Sequence, residues 1–282
     1  MDTSTNAGIV LGSEIVLALY PILIKLVPTN LATQLLARLL VYTTLAFSLA
    51  NWSDIQATWF TAAGIGSSMI FGLLTLVHVA SSYFAFARLP AGEAMSLFYT
   101  YPIWNLLGAI LLFGESFSPF QFVLVGVALA GVYLVSRKEE SDKNPYDWAG
   151  IAAGLGAALT ESLMYFVVRT KSPSPFYSIL QLYPGGLVPL LAGIWAFKEP
   201  ISTGTNVWGP LVLFNAFVGF AGYALRFYAV PRVKTIVFSL LSFFGVLASF
   251  GWGYLFADET ATASALTGAM LIAGAAGASK FV

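Results

Sequence analysis

Charged residues within long apolar runs are the first chemical feature of this sequence. Glu14, Arg38, Glu161 and Arg226 each lie inside such a run. A charged group at the centre of a membrane helix costs roughly 3 kcal/mol or more, so each is a candidate for binding a substrate or a coupling ion. Two carboxylates that face one cavity repel each other, which favours uptake of a proton by one of them. Glu14 and Glu161 are therefore the predicted proton-coupling residues.

These charged residues also have structural interpretations. Each glutamate could be capped by a neighbouring polar group and only hold helices together. Arg226 could pair with Glu14, with Glu161 or with a substrate carboxylate, or it could extend into the lipid headgroups. Arg38 lies four residues before Tyr42 on one helix face. A structural ion pair is the main alternative to a substrate-binding role for Arg38.

One histidine and several aromatic residues within the runs are further candidates. His78 is the single histidine, and it could relay protons because histidine titrates near neutrality, or it could be a hydrogen-bonded core residue. Aromatic rings attract organic cations and stack on planar substrates, although Tyr and Trp also form belts at membrane interfaces. The aromatic residues that lie within runs, and are the predicted substrate contacts, are Tyr20, Tyr99, Tyr101, Trp104, Tyr165, Tyr183, Tyr223 and Trp252.

The sequence lacks the residues that several other functions require. It has no cysteine, which excludes disulfides, thiolate nucleophiles and thiolate metal sites. It contains no HExxH, Walker or GxSxG motif. Its formal net charge is zero, so it has no basic field to hold nucleic acid. We therefore expect no metal site, no cofactor, no nucleic-acid partner and no enzyme activity.

Composition predicts that the candidate residues lie in a lipid environment. Of the 282 residues, 58% are hydrophobic and 9% are charged, whereas soluble domains have roughly 25% charged residues. Ten apolar runs follow one another, and about 20 apolar residues are enough for a helix to cross the hydrocarbon core. The runs are continuous rather than alternating, which argues against a β-barrel. The sequence predicts an all-α, multi-pass membrane protein with ten transmembrane helices.

The ten runs divide into two sets of five. They cover approximately 8–27, 31–50, 61–87, 92–113 and 119–136, then 148–169, 174–197, 207–229, 233–256 and 262–281. A charged linker over 138–147 separates a first repeat, 1–137, from a second, 148–282. Because five is odd, the second repeat enters the membrane from the opposite face. This predicts a five-plus-five inverted repeat, an arrangement that many secondary transporters use.

The predicted topology places the two glutamates at similar depths. At about 1.5 Å per residue, Glu14 lies about 9 Å from the membrane face that carries both chain ends. Glu161, reached from the opposite face, lies about 11 Å from that same face. Lysines and arginines divide almost evenly between the two faces, so their distribution predicts no orientation.

Prolines and glycines predict two interrupted helices. Tyr101-Pro102 should loosen the fourth helix, and Tyr183-Pro184-Gly185-Gly186 should loosen the seventh. The carbonyls freed there could bind a ligand or act as a hinge. Alternatively, the kinks are tolerated because neighbouring helices satisfy the freed groups.

One long stretch resembles a known family. The sequence YFAFARLPAGEAMSLFYTYPIWNLLGAILLFGESFSPFQFVLVGVALAGVYLV, which starts at Tyr83, is similar to the third to fifth helices of EamA-type carriers in the drug/metabolite transporter superfamily. The run from Gly12 through Glu14 and Pro21 to Lys25 also resembles the first helix of the small multidrug resistance branch, in which a membrane carboxylate binds protons and cations in competition. The resemblance implies a transporter of small metabolites with cytoplasmic chain ends.

Together these features predict a secondary active transporter that works by alternating access. We expect a proton-coupled exporter of a small zwitterionic or cationic compound, such as an amino acid, an amine or a quaternary ammonium compound. The alternatives are a uniporter, exchanger or channel-like facilitator of a small polar or anionic metabolite, and, less favoured, an intramembrane enzyme. We expect the protein in the cell inner or plasma membrane, and the sequence predicts no oligomeric state.

Overall fold

The computed structural model describes residues 3–89, 91–136, 147–171, 174–256 and 262–278. All regular elements within these ranges are helices, and the predicted all-α class is confirmed. The predicted linker lies outside the described residues except for its last residue, Asp147.

All ten predicted runs are helical, and we call them spans 1 to 10. In the first half, span 1 is Thr3–Leu17 with Tyr20–Leu26, span 2 is Leu31–Leu49, span 3 is Ala62–Arg88, span 4 is Ala91–Phe98 with Tyr101–Phe113, and span 5 is Pro119–Ser136. In the second half, span 6 is Trp148–Lys171, span 7 is Pro175–Leu182, Pro184–Gly186 and Leu187–Phe197, span 8 is Thr205–Phe214, Asn215–Phe220 and Ala221–Ala229, span 9 is Thr235–Ser242 with Phe244–Phe256, and span 10 is Ala263–Ala278.

Most spans have the length and composition of membrane-crossing helices. Eight of them meet both conditions, while spans 5 and 10 are apolar but shorter. Spans 5 and 10 pack against each other. About 20 residues are needed to cross about 30 Å of hydrocarbon. Helix length therefore supports a membrane crossing more strongly for the eight longer spans than for spans 5 and 10.

Helix pairing follows the pattern expected of two related halves. Span 1 packs on span 8, and span 3 packs on span 6. In two related halves, span 1 corresponds to span 6 and span 3 corresponds to span 8. The packing of span 1 on span 8 is therefore equivalent to the packing of span 6 on span 3. The pairing agrees with the predicted repeat, whose boundaries remain a prediction.

The two predicted helix interruptions are present. Span 4 breaks at Tyr99–Thr100, and span 7 passes through a 3₁₀ turn at Pro184–Gly186. A proline ring clashes with the carbonyl four residues earlier, which here belongs to Leu180. The Ser68 hydroxyl of span 3 donates to the carbonyls of Leu180 and Gln181, both at 3.2 Å. A neighbouring helix therefore satisfies these two carbonyls, which makes them poor ligand-binding groups.

Glycine allows spans 3 and 7 to approach closely beside this turn. A β-carbon on Gly72 would lie 2.3 Å from the backbone nitrogen of Gly186. Real β-carbons do not come this close to backbone atoms, so any side chain at position 72 would force the two spans apart. Close backbone approach at small residues is a common way for membrane helices to associate.

One short helix was not predicted. The connection between spans 2 and 3 contains a helix over Trp52–Trp59, where the polar residues at its start indicated a break. Eight residues make only about two turns, too few for a periodic pattern to stand out. Trp52 and Phe60 are exposed, as expected for aromatic residues at a membrane interface.

Candidate functional site

Arg226 of span 8 joins the two buried glutamates. Its Nη2 atom donates to both carboxylate oxygens of Glu14, at 2.7 and 2.6 Å. Its Nη1 atom donates to Oε1 of Glu161. The exposed fraction is 2% or less for Arg226 and Glu14 and 3% for Glu161, so the interpretation of Arg226 as a headgroup contact is wrong. One guanidinium thus links span 1 to span 6, the first spans of the two halves.

Two tyrosines at the break in span 4 complete the surroundings of Glu14. The Tyr99 hydroxyl donates to Oε2 of Glu14 at 2.8 Å, and the Tyr101 hydroxyl donates to Oε1 at 3.2 Å. Residues two apart in a continuous helix do not face the same way. The interruption lets both hydroxyls reach one carboxylate. Gly245 of span 9 leaves the space for Tyr99, since a β-carbon there would lie 1.9 Å from the hydroxyl.

His78 of span 3 contacts the second carboxylate. Its Nε2 atom lies 3.2 Å from Oε2 of Glu161, and the Tyr223 hydroxyl donates to that same oxygen at 3.1 Å. Its Nδ1 atom lies 3.2 Å from the carbonyl of Ala157 and 3.1 Å from the hydroxyl of Thr160. The Nε2 atom also lies 3.3 Å from the Tyr223 hydroxyl, so His78, Tyr223 and Glu161 form one polar cluster.

Tyrosine rings surround Arg38 of span 2. Its Cζ atom lies between 4.7 and 5.8 Å from the centroids of five rings, which is within cation–π range. The rings belong to Tyr20, Tyr42, Tyr83, Tyr183 and Tyr223. Arg38 is buried, and among the described residues it forms no ion pair with a carboxylate. The structural ion pair considered for Arg38 is therefore absent from the described part of the chain.

A small cavity connects the two arginine-centred groups. Its volume is about 20 Å³, which is enough for about one water molecule. This volume is too small to hold an organic metabolite. The lining residues include Tyr20, Arg38, His78, Tyr99, Tyr223 and Arg226. Of the thirteen residues predicted to bind substrate or coupling ion, these six line one cavity, and Glu14, Tyr101, Glu161 and Tyr183 contact them directly.

Three predicted residues lie away from this cavity. Trp104 is 39% exposed and belongs to an outward stripe with Leu107 and Leu111, at helical spacing. Trp252 donates to the carbonyl of Ile15 and borders a groove on the outer surface. Tyr165 is buried nearer the end of span 6, where its hydroxyl accepts a hydrogen bond from Arg169.

A polar contact joins three elements at the end of span 6. Arg169 donates to Glu115, which lies between spans 4 and 5, and to Thr235 at the start of span 9. The Thr235 hydroxyl in turn donates to Glu115 at 3.1 Å. In the predicted topology all three residues lie at the face with the chain ends. The contact holds spans 6 and 9 together on that side of the cavity.

The sequence did not predict Tyr42 and Tyr83 as site residues. Tyr42 had a signal, since it lies one turn from Arg38 on the same helix face. Tyr83 had none beyond its position near the end of an apolar run, because its contact with Arg38, at 3.4 Å from Nη1 to the hydroxyl, depends on how spans 2 and 3 pack.

The fold and the site together define a multi-pass helical membrane protein whose two halves both contribute charged residues to an enclosed centre. Residues 6–137 match the model of the EamA-like transporter family. The first half of the chain thus matches this family, and the resemblance predicted from the sequence is confirmed over these residues.

Relatives of known sequence and structure agree with this assignment. The chain is 22% identical over 212 residues to the pseudopaline exporter CntI of Pseudomonas aeruginosa (strain UCBPP-PA14), covering 74% of this chain and 72% of the relative. It is 27% identical over 105 residues to the uncharacterized transporter sll1319 of Synechocystis sp. (strain PCC 6803), covering 36% of this chain and 30% of the relative. A protein of known crystal structure, 15% identical, superposes with a TM-score of 0.74 over 99% of both chains. At this identity the last comparison supports the fold alone.

Proposed function

We propose that this transporter is a proton-coupled exporter of a small zwitterionic or cationic metabolite, and that it works by alternating access. The observation that carries the proposal is the sharing of Arg226 between Glu14 and Glu161, two buried carboxylates from different halves. The name of the P. aeruginosa relative, an exporter, supports the direction of transport.

Charge balance explains how protons and substrate would exchange. With both glutamates ionised and His78 neutral, the formal charges of Glu14, Glu161, Arg38 and Arg226 sum to zero. A proton bound by either glutamate adds one positive charge in a low-dielectric site, and so does a substrate ammonium group paired with the same carboxylate. Because the proton and the ammonium group would use the same carboxylate and would repel each other strongly at that distance, binding of one excludes binding of the other. This competition is the basis of antiport.

The closed cavity fits a carrier better than an open pore. A volume of about 20 Å³ is too small to hold a metabolite, so the spans would have to separate to admit one, first on one side and then on the other. The contact of Glu115, Arg169 and Thr235 is the proposed closure on the side of the chain ends. We further propose that the chain is an inverted repeat divided at 138–147, located in the inner or plasma membrane with cytoplasmic termini.

The test is transport in proteoliposomes that contain the purified protein. The labelled probes are the twenty standard amino acids and trimethylglycine, with tetramethylammonium as a cation that lacks a carboxylate. We expect saturable uptake of at least one probe, driven by an outward-directed proton gradient and abolished by an ionophore. The variants Glu14→Gln and Glu161→Gln should lose the response to the gradient.

The alternatives predict different results. A uniporter would transport a probe by saturable flux that ignores the proton gradient. A channel-like facilitator would show unsaturable flux. Gradient-driven transport that survives in both glutamine variants would contradict the proposed role of the carboxylates.

A further inference from the structure

Arg38 is the one buried arginine of the described centre that lacks an acidic partner. Arg226 uses Nη1 and Nη2 on two carboxylates, whereas Arg38 reaches two tyrosine hydroxyls, Tyr83 at 3.4 Å and Tyr183 at 3.1 Å. Its Nε atom is buried without a hydrogen-bond partner. A guanidinium has five N–H donors, so Arg38 retains donors that no described group accepts.

The tyrosine rings explain how this charge can remain buried. Five ring centroids within 4.7 to 5.8 Å of Cζ attract the positive charge. These cation–π contacts stabilise the positive charge of Arg38 but accept none of its N–H hydrogen bonds. The stacked pair Tyr42 and Tyr183, with centroids 4.3 Å apart, contributes two of these rings. A desolvated guanidinium with spare donors is suited to bind an anion, since its planar fork matches a carboxylate in two parallel hydrogen bonds.

We propose that Arg38 and its five tyrosines form an anion subsite that binds the carboxylate of the transported compound. The inference rests on the proposed function and narrows its substrate class from zwitterions or cations to zwitterions. The substrate ammonium would lie toward Glu14 and Glu161, and the carboxylate toward Arg38. Arg38 borders the cavity, and so does Arg226, which holds both glutamates, so a small molecule could reach both groups when the spans separate.

Charge balance favours the same substrate class. An amine bound to the ionised centre brings its formal charge from zero to plus one, whereas a zwitterion leaves it at zero. An uncompensated charge in a low-dielectric site is costly. A carboxylate bound to Arg38 removes that cost, which a simple amine or quaternary ammonium ion cannot do.

The experiment compares each zwitterion with the amine that lacks only its carboxylate. The midpoint of thermal unfolding of the purified full chain is measured with trimethylglycine and the standard amino acids other than aspartate and glutamate, and with their decarboxylated counterparts, tetramethylammonium being the counterpart of trimethylglycine. We expect at least one zwitterion to raise the midpoint while its amine requires about tenfold more ligand or does nothing. In Arg38→Gln this preference should disappear. In Arg38→Lys, which keeps the charge without the fork, the preference should persist but be reduced to about threefold.

Several results would overturn the inference. These are equal stabilisation by an amine and its zwitterion, an unchanged preference in both Arg38 variants, or no response to any zwitterion. The same titrations at pH 6 and pH 8 on the unmodified chain and on Glu14→Gln separate the two proposals. A preference for the zwitterion that does not depend on pH would contradict proton coupling and support the anion subsite. Binding that depends on pH but shows no such preference would contradict the anion subsite alone.

Discussion

Arg226 binds both carboxylate oxygens of Glu14 through a single nitrogen, Nη2, at 2.7 and 2.6 Å. This geometry leaves Nη1 for Glu161. The positive charge of Arg226 is therefore matched by two acids, while that of Arg38 is surrounded by rings. The two buried arginines should respond differently to substitution.

Substituting Arg226 should be far more damaging than substituting Arg38. Arg226→Gln leaves two buried carboxylates without a cation, and removal of one partner from a buried ion pair costs about 3–5 kcal/mol. Arg38→Gln leaves no described acid unpaired and should cost much less. The measurement is the free energy of unfolding in detergent at pH 8. Lowering the pH to 5 should reduce the loss of unfolding free energy in Arg226→Gln, because protonation neutralises the carboxylates that have lost their cation. Equal costs for the two variants would contradict this assignment of charges.

Gly72→Ala should destabilise the contact between spans 3 and 7. Its β-carbon would lie 2.3 Å from the nitrogen of Gly186, and overpacking of this kind costs about 1–3 kcal/mol. Gly66→Ala is the matched control on the same helix, because its β-carbon would meet nothing within 4 Å. We expect thermal unfolding to show a loss for Gly72→Ala and no loss for Gly66→Ala. A loss of the same size in both would show that the close approach is absent.

Asp147 should stabilise the start of span 6 in a pH-dependent way. The hydrogen bond from Arg88, at 2.6 Å, and the one from the backbone of Gly150, at 3.0 Å, lower the pKa of Asp147 below its ordinary value of 3.8. A lowered pKa gives stability that is fully present above the ordinary value and is lost as the pH falls through the folded-state value.

Thermal unfolding of Asp147→Ala tests this contribution. The unfolding midpoint should fall relative to the unmodified chain at pH 7, and the difference should shrink as the pH falls below about 4. Asp147→Asn is the control, because asparagine keeps a helix-capping oxygen without the charge. A difference that is independent of pH in Asp147→Ala would refute the electrostatic part of the explanation.

Removing the charge of Glu115 should favour opening on the side of the chain ends. The chain has no cysteine, so a single cysteine at Ser82, which borders the cavity, reports access to a maleimide. A partly exposed ion pair contributes up to about 1 kcal/mol, so Glu115→Gln should raise the labelling rate by up to about fivefold. Glu199→Gln is the control. It makes the same change after the end of span 7, at the other membrane face in the predicted topology, and should leave the rate unchanged. Slower or unchanged labelling in Glu115→Gln would exclude a gating role for this contact.

Much of the fold could be predicted from the sequence because apolar runs and helix breakers are local signals. The ten runs became helices with bounds within a few residues, and the breaks at Pro102 and Pro184 occurred where proline removes a donor and blocks a carbonyl. The short helix Trp52–Trp59 was missed because it is too brief to show a period.

The site was only partly predictable, because its geometry depends on helix packing. Depth along the spans was enough to expect Glu14 and Glu161 at similar depths, and Arg226 was considered as a partner for either. Trp104 was predicted as a substrate contact from its depth alone, but its helical phase turns it outward with Leu107. No local pattern indicates that tyrosines from four other spans join Tyr42 around Arg38, since those four contacts form only between helices.

The most direct test of the account is proton release on ligand binding. Purified protein in weakly buffered detergent is mixed with the zwitterion that stabilises it best, and a pH indicator records the change. We predict that ligand displaces a proton from the unmodified protein near pH 7 and that release is lost when Glu14 and Glu161 are both replaced by glutamine. Binding without proton release, or release that persists in the double variant, would contradict proton coupling at the carboxylates that share Arg226.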